Sequence, residues 1–119
     1  MSTPQKYLFI INDAPYGNEC PYNALRLALN LSKRDGLSVR VFLTADGVLC
    51  AHKGQKTPDG YYNIERMIKS LAAHGEVATR NSCCQARGLG LEDLIEGVKM
   101  GNLDLEGNWV VEADKVIVY

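Results

Sequence analysis

The sequence predicts an α/β protein: a three-layer sandwich with a mostly parallel sheet of about five strands and helices on both faces. Three observations predict it. Residues 6–12 (KYLFIIN) are continuously apolar and rich in aromatic and β-branched side chains, the pattern of a strand covered on both faces. Strand-like segments then alternate with stretches of helical period, which implies parallel strands joined by right-handed crossovers. Finally, 119 residues that are 46% hydrophobic and 23% charged suit one core, so residues 1–119 are read as a single domain.

After the first strand, Asp13, Pro15 and Gly17 supply turn chemistry, with Asn18 as the expected N-cap of a helix running to about Lys33. Ala24, Leu25, Ala28, Leu29 and Leu31, with Leu27 adjoining, form its apolar stripe; Arg26, Asn30, Lys33 and Arg34 face solvent, and Gly36 ends it. Residues 39–44 (VRVFLT) read as the second strand, 48–52 as a short helix and 54–60 as loop. Residues 62–73 repeat Ile64, Met67, Ile68, Leu71 and Ala72 at helical spacing, and His74-Gly75 closes that helix. Residues 76–80 are a third strand, 81–89 a polar loop and 91–98 a short helix. Residues 102–106 fit either a brief strand or a helix start, and 109–113 fit a helix leading into a last strand at 115–119.

The formal charge is −1 with both signs interspersed, so no footprint for direct nucleic-acid binding or an anionic membrane stands out. Residues 1–6 lack a basic segment followed by an apolar core, and no apolar run approaches the ~18 residues of a membrane span. The expected location is therefore cytoplasmic, where four cysteines are thiols, metal ligands or transient redox groups.

In an open parallel sheet, ligands gather outside the carboxyl ends of the strands. All four cysteines follow strand ends: Cys20 the first, Cys50 the second, Cys83 and Cys84 the third, with Asp13, Asp46 and His52 on the same edge. A thiol reacts through its thiolate, favoured by nearby positive charge, and Arg80, Arg87 and His52 are the cations at hand. Isolated cysteines are usually small buried hydrophobes, the default for Cys20 and Cys50, whereas Cys83 lies in a polar, basic segment. Cys83 and Cys84 are the candidate catalytic residues; a strained vicinal disulfide between them would serve as a redox switch. A zinc or copper site of Cys20, Cys50, Cys83 and His52 lacks the close Cys-x-x-Cys pair of a rigid half-site, so no metal and no cofactor is expected. Gly17 and Gly88, beside Tyr16 and Arg87, match neither the dinucleotide nor the Walker pattern and read first as turn glycines. His74 is expected at its helix terminus, and Tyr61 and Tyr62 in packing.

Several segments together carry a resemblance: NDAPYGNE after the first strand, FLTADGV after the second, then GQK, GYYNI, CCQARG and the closing ADKV. In this order, over nearly the whole chain, they resemble the DsrE-like sulfur-relay family (DsrE/DsrF-like fold), in particular its YchN-like branch. The resemblance implies a compact α/β protomer in a homohexamer or trimer. In the sulfur-relay members it implies a cysteine that carries sulfur as a persulfide between donor and acceptor proteins. Cys83 matches a cysteine of the YchN-like branch, whereas the relay carrier cysteine aligns near Arg80. The implied role is a sulfur carrier or sulfurtransferase-like protein, with Cys83 accepting sulfane sulfur, Cys84 assisting or resolving, and Asp13, Tyr16, Gly17, Arg80, Arg87 and Gly88 as supporting residues. The alternatives are a noncatalytic oligomer binding a small anion or metal at the strand-end loops, and a thiol redox sensor built on Cys83 and Cys84.

Overall fold

A computed structural model describes residues 4–119; Met1, Ser2 and Thr3, part of the segment inspected for a leader, lie outside the described residues. Five strands, β1 (Gln5–Ile11), β2 (Leu37–Leu43), β3 (Glu76–Arg80), β4 (Lys99–Gly101) and β5 (Lys115–Val118), form one sheet in the order β4-β3-β2-β1-β5, every pair parallel. Helices α1 (Cys20–Ser32), α2 (Ile64–His74), α3 (Asn81–Ala86) and α4 (Leu103–Glu112) connect them, with 3-10 turns at Ala45–Ala51 and Leu91–Asp93. The α/β sandwich with helices on both faces is as expected.

Alternation along the strands divides the core in two. Phe9, Ile11, Val41, Leu43 and Val77 point to one face and pack with Ala24, Leu25, Ala28, Ile64, Ile68 and Leu71 of α1 and α2. Leu8, Phe42 and Ala78 point to the other face, which α4 covers with Trp109, assisted by Leu105 and Ala113. The Trp109 ring meets Phe42 edge-on, centroids 5.8 Å apart, and the Arg40 guanidinium lies 5.0 Å from the indole.

Arg40 ties this thin layer down, its Nε 2.6 Å from Glu76 Oε2 and its Nη1 2.6 Å from Glu112 Oε1, while Lys99 also pairs with Glu76. The hydrogen bond from Lys99, seconded by Arg40, holds the Glu76 carboxyl below its ordinary range. A carboxylate with a lowered folded pKa contributes stability that is complete above its unfolded pKa and is lost as pH falls through the folded value. The urea midpoint is therefore expected to fall as pH drops below about 4.3, and Glu76→Gln to flatten that dependence.

Several local expectations are corrected. Asn18 is not the N-cap of α1: Glu19 holds that place, and Asn18 Oδ1 accepts the Cys20 N–H at 2.9 Å in an Asx turn. The helix expected over 48–52 is a 3-10 turn beginning at Ala45. Residues 81–86 are helical, not loop: burial of Cys84 and a Schellman closure, with Leu89 N–H to Cys84 O at 2.9 Å and Gly88 N–H to Gln85 O at 3.1 Å, outweigh weak propensity. Gly88 has φ +70°, the left-handed position that closure requires. Residues 91–98 hold only a three-residue 3-10 turn, and β4 follows them as an unanticipated edge strand. Residues 102–106 are the start of α4, where the Asn102 side chain accepts the Leu105 N–H at 2.9 Å.

Candidate functional site

The carboxyl ends of β1, β2 and β5 are knit together around residues that close the strands. Asn12 donates Nδ2 to Tyr119 O at 3.1 Å and accepts the Thr44 hydroxyl at 2.5 Å. Gly47 N–H then bonds to Asn12 O (3.1 Å) and Thr44 O (2.8 Å), seating the turn after β2 on the end of β1. A Cβ at Gly47 would lie 2.1 Å from Ile11 O, so only glycine fits there.

This seating places Ala45. Its φ of +50° is a left-handed conformation that costs an L-residue about 1–2 kcal/mol, and there its N–H points at Cys83, with N to Sγ at 3.2 Å. Cys83 is half-buried in the first turn of α3. Its thiol sulfur therefore has an oriented backbone donor on one side, and the residue keeps partial exposure.

Arg87 locks this contact from outside. Its Nε and Nη2 lie 2.9 and 2.8 Å from Asp46 Oδ1, and its Nη1 donates to Cys83 O at 3.0 Å. The guanidinium thus clamps α3 to the 3-10 turn through the main chain of Cys83, with Asp46 meeting its charge. Arg80 goes elsewhere: it ends β3 pointing to the α4 face, Nε 3.8 Å from Glu106 Oε1. Alternation along β3 turns Arg80 away from the thiol it was expected to attend, whereas Arg87 stays beside Cys83 through that residue's main chain, its charge met by Asp46.

Cys84, one residue on, is fully buried against the α1/α2 core. Burial pushes its thiol up, opposed by a hydrogen bond with Thr79. Adjacent in sequence, the two cysteines occupy different environments because neighbouring helix positions point about 100° apart. Cys50 is likewise buried; its Sγ lies 3.7 Å from Asp13 O, and burial pushes the thiol up to about 12. Cys20 is exposed at the start of α1. Among the described residues no three His, Cys, Asp or Glu side chains converge to hold a metal.

The remaining supporting residues act as struts. Tyr16, itself at φ +75°, donates its hydroxyl to Gln55 Oε1 at 2.5 Å and accepts the Ile64 N–H at 3.1 Å, tying the loop after β1 to the start of α2. Burial raises its phenol. Tyr16, Tyr22 and Tyr61 all stack on Tyr62, at 5.6, 4.1 and 4.6 Å. Gly17 is an exposed turn residue with open space around it, and Asp13 is half-buried at the edge. His74 Nδ1 meets Ser70 O at 2.9 Å, a helix-terminal contact. Ala45 and Glu106 carried no sequence signal: the first acts through its amide, and the second sits on a helix whose start was ambiguous.

Residues 5–119 match the model of the DsrE/DsrF-like family. The chain belongs to that family. Within the DsrE/DsrF-like proteins it is 38% identical over 117 residues to YchN of Escherichia coli K12, covering 97% of this chain and 99% of that protein. It is 41% identical over 111 residues to a protein of Methanopyrus kandleri, covering 92% and 90% of the two chains. The crystal structure of E. coli YchN superposes with a TM-score of 0.90 over 97% of this chain and 99% of that one. A 15% identical protein of Methanobacterium thermoautotrophicum superposes at 0.75 over 97% and 99%, a likeness of fold alone.

Proposed function

We propose that this DsrE/DsrF-like protein is a sulfur carrier in which Cys83 holds sulfane sulfur as a persulfide. The observation that carries the reading is the Sγ of Cys83, a half-buried residue, accepting the Ala45 N–H at 3.2 Å at the carboxyl edge of a parallel sheet. The Cys83 thiolate attacks the terminal sulfur of a donor protein's persulfide. A new S–S bond forms at Sγ, the donor's own S–S bond breaks, and the donor leaves as a thiolate with that electron pair. An acceptor nucleophile then attacks the terminal sulfur and Cys83 departs as thiolate, so neither half-step needs an outside oxidant. Cys84, shut in the core, takes no part while α3 is folded.

The same reading places the protein in the cytoplasm, working between donor and acceptor proteins without direct contact to nucleic acid, as a homohexamer or trimer. Exposed Val116 and Val118 on β5 support assembly, being apolar side chains left uncovered on one face of that strand. No helix among the described residues is long and apolar enough to cross a membrane.

Intact-mass and peptide mass spectrometry after incubation with a sulfane-sulfur donor tests the carrier role. One added sulfur on the Cys83 peptide is expected, lost completely in Cys83→Ser and kept in Cys84→Ser. Sulfur on Cys20 alone, or a loss of two hydrogens linking Cys83 to Cys84, overturns it, the latter in favour of a redox sensor. For assembly, sedimentation above the monomer mass is expected, with Val118→Lys shifting it toward monomer.

A further inference from the structure

On the face opposite α1 and α2, a cavity of about 540 Å³ opens between α4 and the carboxyl ends of β1, β2 and β3. Its β3 side, at Arg80, borders the point where the chain connections divide. The chain leaving β3 enters α3, whose Cys84 packs with the α1/α2 layer, whereas the chain leaving the neighbouring β4 enters α4 on the other face. Adjacent strands whose connections part to opposite faces create the crevice in which open α/β sheets bind ligands. The volume lies within the roughly 300–1,000 Å³ of small-molecule sites.

Its chemistry is two-part. Ile10, Leu103 and Val110 give it apolar walls, and Arg80 and Glu106 place opposite charges side by side in it. Their Nε and Oε1 are 3.8 Å apart, too far to hydrogen-bond, and Glu106 Oε1 has no hydrogen-bond partner among the described residues although it is buried. A half-buried ion pair left open in this way forgoes the hydrogen bonds that would offset its desolvation. Gly107 sets the height of the wall: at mid-helix, where glycine costs about 1 kcal/mol against alanine, it has none of the described residues within 4 Å of where a Cβ would lie. Any side chain there would project into the open space.

We propose that this crevice binds a small zwitterionic α-amino acid with an aliphatic or sulfur-bearing side chain. The ligand's ammonium is received by Glu106, its carboxylate by Arg80, and its side chain by the apolar wall of Leu103 and Val110. A zwitterion carries the reverse of the charge pair the crevice presents, at a comparable spacing. The site lies across the strand ends from Cys83 and does not depend on the sulfur chemistry proposed for it.

Amide-resolved NMR titration with L-methionine and L-leucine tests this. A saturable shift of Thr44, Gly101, Leu103 and Gly107 amides is expected, weakened about tenfold or more, ~1.4 kcal/mol, for N-acetyl-leucine and for leucinamide, each of which lacks one charge. Glu106→Gln is expected to weaken binding similarly and Gly107→Leu to abolish it with the folded spectrum retained, while Cys83→Ser binds as the parent does. Three results overturn the proposal: no saturable shift up to about 10 mM ligand; equal affinity in Glu106→Gln; or shifts of these amides with protein concentration that Val118→Lys removes and amino acids never produce, which assigns the crevice to a second copy of the chain.

Discussion

Gly47→Ala is expected to destabilise the protein by about 3 kcal/mol or more and to uncouple Cys83 from its backbone donor. The added Cβ would lie 2.1 Å from Ile11 O and 2.8 Å from Ile11 C, atoms of a central strand paired on both sides, so β1 has nowhere to yield. The turn must lift instead. Lifting it breaks the Gly47 bonds to Asn12 and Thr44 and carries Ala45 away from Cys83. Against a total stability of roughly 5–15 kcal/mol, such a loss is visible as a urea midpoint lowered by more than about 1 M. Gly17→Ala is the control, since that glycine has open space around it and an ordinary φ; a change within about 0.5 kcal/mol is expected. An equal loss in both variants would show that the close approach at Gly47 carries no special weight.

Trp109→Ala is expected to cost about 3–5 kcal/mol, because among the described residues α4 covers its face of the sheet and Trp109 is the residue by which it does so. The indole is 4% exposed, meets Phe42 edge-on and lies under Arg40. Removing it leaves a void above Phe42 and releases the guanidinium that joins Glu76 to Glu112. Urea unfolding followed by circular dichroism measures the loss, and Trp109→Phe, which restores an aromatic ring, is expected to lose less. Since the chain has one tryptophan, the parent's fluorescence reports docking of α4 directly, and a red shift that precedes the loss of secondary structure would mark that layer as the first to open.

The strands and helices of the main core were legible because their signals are long. Residues 6–12 and 62–73 carry unbroken patterns, and burial follows them: Ile64, Ile68 and Leu71 all lie inside. What escaped was short or held by distant contacts. β4 is three residues without a β-branched side chain, formed because the edge of β3 pairs with it. α3 is polar and carries two cysteines, and it is helical because Cys84 is pulled into the core and Gly88 closes the last turn. At the candidate site, Cys83 was legible as a chemical type, but its partner was not: an alanine amide leaves no mark in a sequence. Arg87 was read as an attendant of the thiol and also braces the chain that carries it, and Cys83 and Cys84 differ in exposure, the first half-buried and the second buried.

The six-residue length of α3 has a kinetic consequence. A helix so short does not persist by itself; here the Arg87–Asp46 clamp and the burial of Cys84 retain it. Cys84 can then be alkylated only when this segment opens, so the slow phase of its labelling measures the free energy of a local excursion. Cys50, buried in the turn that Gly47 seats, times a second excursion in the same molecule. Exposed Cys20 reacts at once and supplies the rate of the reagent itself, so three native thiols suffice as clocks for the two walls around Cys83.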